Sequence, residues 1–80
     1  MIINLTELKV NQQGIIESLR GGRGMYKRLN AMGIRPGMNI KKISAQFMRG
    51  PVVVKAGEVQ LALGFRMARK IYVKVNEQEL

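Results

Sequence analysis

The sequence has no cysteine, no histidine, no tryptophan and no aspartate. Without cysteine there is no disulfide and no thiolate metal site. Without histidine the commonest transition-metal ligand is missing. Between Ser18 and Val75 the only carboxylate is Glu58. A nucleophilic triad or a general acid–base pair has nothing to be built from, so the chain is not expected to be an enzyme. Aromatic residues are 5% of the chain, namely Tyr26, Phe47, Phe65 and Tyr72. That is a thin supply of stacking platforms for nucleic-acid bases. No apolar run approaches the roughly 20 residues of a membrane span, which argues against membrane insertion. The opening Met1-Ile2-Ile3-Asn4 lacks the basic region and cleavage pattern of a signal peptide, so a cytoplasmic location is expected.

What remains is a small aliphatic domain with one strong charge. Eighty residues suit a single domain, 1–80, and 46% hydrophobic content suffices for one core. Six methionines among so few aromatics predict a core in which Met fills gaps. The net charge is +9 and it is unevenly spread. Arg20, Arg23, Lys27, Arg28, Arg35, Lys41, Lys42, Arg49 and Lys55 fall in a stretch with no acid at all. The other five basic residues are equal in number to the five Glu residues. Such an excess favours an anionic partner.

The chain is organised around Arg28-Leu29-Asn30-Ala31-Met32-Gly33-Ile34-Arg35-Pro36-Gly37-Met38. Met25, Leu29 and Met32 share one helical face at spacing i, i+4, i+7. Gly33 follows the last of them, where a left-handed residue closes a helix and lets Ile34 fold back. Pro36-Gly37 suits the centre of a type II turn, since proline presets φ and glycine accepts positive φ. The helix is read over 24–32, with Lys27 and Arg28 on its wet side.

On either side the pattern is mainly β. Asn4 and Glu7 have capping-box spacing around a single turn that would pin Leu5 and Leu8 on the core. The first strand is read from Ile15 to Leu19. Arg20-Gly21-Gly22-Arg23-Gly24 could cradle a phosphate, but it lacks the Gly-Lys-Ser/Thr ending of a P-loop. One Arg-Gly-Gly copy is likewise weak evidence for nucleic acid, and a flexible lead into the helix is favoured. The second strand runs from Met38 to Phe47, with Met38 and Ile40 out of phase with Ile43, Ala45 and Phe47. A bulge at Lys41-Lys42 would reconcile them and turn both lysines outward. Val52, Val54 and Ala56, then Val59, Leu61 and Leu63, then Ile71, Val73 and Val75 supply three more alternating strands. Gly64 to Lys70 reads as one helical turn with Phe65 and Ala68 inward and the basic residues outward. Residues 77–80 read as a frayed tail.

One helical period and these alternating segments predict a five-stranded antiparallel barrel with one short helix between strands 1 and 2. The central stretch also resembles the R-L-x-x-(L/M)-G-(I/L)-x-P-G signature of FeoA-like proteins, carried here by Leu29, Gly33, Ile34, Pro36 and Gly37. The likeness extends over nearly the whole chain and includes the SH3-like C-terminal module of iron-dependent repressors. It implies an SH3-like barrel and a small accessory protein of bacterial ferrous iron uptake. The implied partner is the cytoplasmic GTPase-like domain of ferrous iron transport protein B, whose transport it would modulate. No cofactor is expected. Transition-metal binding is a label attached to the family, while this chain offers five scattered Glu and no metal-ligand set.

The charge pattern suggests where a partner would sit. Lys27, Arg28, Lys41, Lys42 and Arg49 are expected to meet an acidic protein face. Phe47 or Met48 near the hairpin tip would be the apolar anchor, with Met48 the better candidate. The alternative is a small basic nucleic-acid-binding barrel, which charge alone suggests and the scarcity of aromatics disfavours. A homo-oligomer is left open.

Overall fold

The chain begins with a three-residue strand, β1 (Ile2–Asn4), and a 3-10 turn over Leu5–Glu7. The Asn4 side chain accepts a hydrogen bond from the Thr6 N–H at 2.9 Å, and Glu7 Oε1 accepts one from the Asn4 N–H at 3.1 Å. This is the reciprocal capping that the Asn-x-x-Glu spacing predicts. Leu5 and Leu8 are both buried beneath it. There follow β2 (Gln13–Leu19), α1 (Gly22–Ala31), β3 (Asn39–Ala45), β4 (Val52–Ala56), β5 (Val59–Leu63), α2 (Phe65–Ala68) and β6 (Ile71–Lys74). This computed structural model describes residues 1–46 and 48–76. The inward Phe47 and the frayed tail predicted above lie outside the described residues.

The strands form one antiparallel sheet in the order β1-β6-β2-β3-β4-β5. There are six strands and not five, because β1 pairs with β6 as Ile2↔Lys74, Ile3↔Val73 and Asn4↔Tyr72. Three residues are too few to show a period, so only this long-range pairing makes them a strand. The helix accordingly joins the second and third strands, and it begins at Gly22, two residues before Gly24.

Two register shifts bend the sheet. One lies between Ile16 and Ser18 in β2, and the other between Lys42 and Ser44 in β3. An extra residue in one strand increases local twist and turns the sheet toward closure. The β3 bulge falls at Ile43, one residue later than predicted, and this reverses Lys42. Lys42 keeps the inward phase of Ile40, stands opposite Val54, and is 3% exposed. Ala45, predicted to face inward, is exposed, and Ile43 is half-buried.

The buried residues form one hydrophobic cluster. Val52, Val54 and Ala56 are buried from β4, and Ile71, Val73 and Val75 from the last strand and its exit. Leu29 and Ile34 reach zero exposure. Burial of this kind contributes about 1.5–3 kcal/mol per side chain. Met25 and Met32 pack against the same cluster as partly buried residues. On β5 only Leu63 is fully enclosed, while Val59 is half exposed.

Candidate functional site

Residues 29–38 fix the attitude of α1. The Gly33 N–H donates to the Asn30 carbonyl and the Ile34 N–H to the Leu29 carbonyl, each at 2.9 Å. These are the two bonds of a Schellman stop, and Gly33 has the required φ of 91°. Ile34 then plugs the core. Gly37 has φ 92°, and the Met38 N–H donates to the Arg35 carbonyl at 3.3 Å, closing the type II turn. The turn is stitched to β2 by Gly37 N–H to the Ile16 carbonyl and Ile16 N–H to the Met38 carbonyl, both 2.8 Å. So anchored, α1 leaves Lys27 and Arg28 exposed.

The β3–β4 hairpin tip is built differently. Met48 and Arg49 have φ of 61° and 64°, a left-handed conformation in two consecutive non-glycine residues. Each costs about 1–2 kcal/mol relative to ordinary backbone. Met48 is 86% exposed, the most exposed of the large hydrophobic residues described. The Arg49 guanidinium lies 5.8 Å from the centroid of the Phe65 ring on α2. Such a contact over an aromatic face holds a cation in place without a carboxylate. Lys41, further along the hairpin, stands directly opposite Lys55 on the outer face. Like charges so placed repel and keep that face cationic.

The structure therefore joins Met48 to Arg49, keeps Lys41 on the outer face of the same hairpin, and holds Lys27 and Arg28 on α1. It removes Lys42 from the surface. The Lys42 Nζ donates to the Thr6 carbonyl at 3.1 Å, and loss of solvent on burial lowers its pKa from the ordinary 10.5.

A second cationic group was not anticipated from the sequence. Arg66 and Arg69 on and after α2, with Lys70, line a cavity of about 300 Å³ that Met25 of α1 completes. The Arg20 guanidinium sits 4.7 Å from the Tyr72 ring centroid. Counting these cations against the Glu residues hid the group, because equal numbers do not imply shared positions. The usable signal was the R-x-x-R-K spacing, which puts Arg66 and Arg69 on the wet side of a turn whose other side holds Ala68. A cavity of about 390 Å³ over Lys9, Val10, Asn11, Gln12 and Gln13 has one cation and is otherwise amide and aliphatic.

Among the described residues, no three Asp, Glu, His or Cys side chains come close enough to hold a metal ion. The donor set of the described residues thus does not fit the family's metal label. No helix among them is long and apolar enough to cross a membrane.

Comparison with known proteins gives a consistent picture. A family model, FeoA domain, matches residues 3–75. A solved structure of an iron uptake regulatory protein (FeoA) is 28% identical, with TM-score 0.82, and the alignment covers 92% of this chain and 96% of that one. The Stenotrophomonas maltophilia FeoA, solved with zinc and described as a prokaryotic SH3 domain protein, has TM-score 0.75 at 21% identity over 90% and 89% of the two chains. That likeness shows that the fold is SH3-like. The T. acidophilum IdeR matches with TM-score 0.80 at 21% identity, over 94% of this chain but 34% of its own. This chain thus corresponds to about a third of that protein. Comparison with curated proteins returned no match.

Proposed function

The chain belongs to the FeoA domain family, and on that premise we propose that it is a cytoplasmic accessory protein of ferrous iron uptake. It binds the cytoplasmic GTPase-like domain of ferrous iron transport protein B and modulates transport. The observation that carries the reading is the family match over residues 3–75, supported by the FeoA relative described as an iron uptake regulator. Its role is binding, not catalysis, and ferrous iron is the cargo of the partner.

The docking surface is assigned to Met48 and Arg49 at the hairpin tip, with Lys41, Lys27 and Arg28 as surrounding charge. A protruding apolar side chain in a strained turn suits an anchor, since strained backbone persists where the surroundings hold it and is often functional. The cations would speed encounter with an acidic face.

The test is a titration of the full chain against the soluble GTPase-like domain, with and without guanine nucleotide. Saturable binding is expected. Met48→Ala should speed dissociation, while Lys27→Glu with Arg28→Glu should slow association and flatten its salt dependence. The docking reading fails if neither change alters binding. Should the charge reversal instead abolish only binding to single-stranded or duplex nucleic acid, the small basic barrel takes its place.

A further inference from the structure

We propose that the cleft between the start of α1 and α2 is a binding site for a phosphate group. The inference is independent of transporter docking, which was assigned to the hairpin tip. It stands on the cleft itself. Of its four lining residues three are cations, Arg66, Arg69 and Lys70, and the fourth is Met25. Its volume of about 300 Å³ has room for a phosphate group and part of its hydration shell.

The walls are held firmly relative to each other. The Arg20 N–H donates to the Lys70 carbonyl at 2.7 Å, joining the entry to α1 with the exit of α2. The Arg69 N–H donates to the Phe65 carbonyl and the Lys70 N–H to the Met67 carbonyl, each at 3.0 Å. Gly21, with φ of 98°, borders the cleft without a side chain. A Cβ there would stand 3.2 Å from Met25 Cβ and 3.3 Å from Lys70 Cδ, so glycine leaves this edge open.

The chemistry selects the ligand. A carboxylate is planar, carries one negative charge and presents its acceptor sites in that plane. A phosphate presents oxygens in tetrahedral directions and carries up to two negative charges. It can accept hydrogen bonds from two arginines and a lysine of one short segment at the same time. Adjacent cations that repel one another would gain a common counter-charge. There is no general base among the lining residues, so the site binds and does not hydrolyse.

Phosphate can come from solution or from a lipid headgroup, and two arms separate them. In the first, amide NMR shifts of the full chain are followed as sodium phosphate is added, against sodium chloride at equal ionic strength. In the second, the chain is sedimented with phosphatidylcholine vesicles with or without phosphatidic acid. Saturable phosphate shifts centred on Met25, Arg66, Arg69 and Lys70 are expected, and Arg66→Gln with Arg69→Gln should weaken them about tenfold or more. Phosphate shifts without vesicle binding identify a free phosphate compound. Phosphatidic-acid binding lost in the same double variant identifies a headgroup. Lys55→Gln with Lys74→Gln removes the same charge from exposed positions elsewhere and should leave both readouts unchanged. If the Arg66/Arg69 variant melts below the parent, Lys70→Gln gives the same reading, because its backbone and not its side chain holds Arg20. The proposal is overturned if chloride produces the same shifts, or if the Lys55/Lys74 variant weakens binding equally.

Discussion

Two turns in this molecule use the same left-handed backbone with opposite side chains. The stop and turn after α1 place Gly33 and Gly37 at φ of 91° and 92°. The hairpin tip places Met48 and Arg49 at 61° and 64°. At the first, glycine makes the conformation nearly free, and Ile34 beside it is fully buried. At the second, two side chains bear the strain, and Met48 is left in solvent. The first turn is what a chain does to become stable. The second bears a local penalty and leaves Met48 in solvent, which is why the docking surface is proposed there.

The difference can be broken from either side. The largest effect should come from Ile34→Ala, which empties a fully buried site and should cost about 2–5 kcal/mol in denaturant unfolding. Met48→Ala, at the same step in the contrast, should leave stability within about 0.5 kcal/mol. Next come Gly33→Val and Gly37→Val. Nothing lies within 4 Å of a Cβ built at either glycine, so the penalty is one of backbone conformation. Each should lose about 1–3 kcal/mol, read by thermal or urea melts. Melts equal to the parent would show that these positions do not depend on glycine.

A smaller effect of opposite sign is expected at the tip. Met48→Asn with Arg49→Gly supplies residues that accept positive φ and should raise stability by about 1 kcal/mol. The same variant should bind the transporter domain more weakly. A gain in stability with unchanged binding would separate the strain from function.

The smallest effect concerns Lys42, whose burial lowers its pKa from 10.5. In the pH interval below 10.5 the unfolded chain then holds a proton that the folded chain gives up more readily. Stability attributable to this group should therefore rise as pH rises toward 10.5 and level off above it. Lys42→Met keeps the aliphatic stem without the charge, so it should remove this rise. The measurement is the difference in melting temperature between parent and variant across pH 8 to 11 (roughly the window around the ordinary lysine value). A difference that does not change with pH would mean that Lys42 titrates normally.

The two turns also differ in how well the sequence announced them. Gly33, Ile34, Pro36 and Gly37 were readable because each acts on neighbours a few residues away. The tip was readable only as a loop with apolar residues nearby. Its left-handed pair could not be anticipated from Met and Arg, which have no preference for that conformation. The cleft between α1 and α2 was missed for another reason. The R-x-x-R-K spacing puts Arg66 and Arg69 on the wet side of a turn, but that they meet Met25 depends on α2 docking beside the entry to α1.

Sequence by itself determined the Asn4–Glu7 cap, the Schellman stop, the type II turn and the inward alternation of Val52, Val54 and Ala56. All of these are set by covalent geometry or by side-chain spacing within one element. It also carried the family, because that signature is made of the same local features. Tertiary structure decided that Ile2–Asn4 is a strand, that Ile43 is the bulged residue, and that Lys42 faces inward. Each depends on which distant strand pairs with which residue, and a shift of one residue exchanges the two faces of a strand. The same long-range pairing brings three cations and Met25 around one cleft, which no count along the chain can reveal.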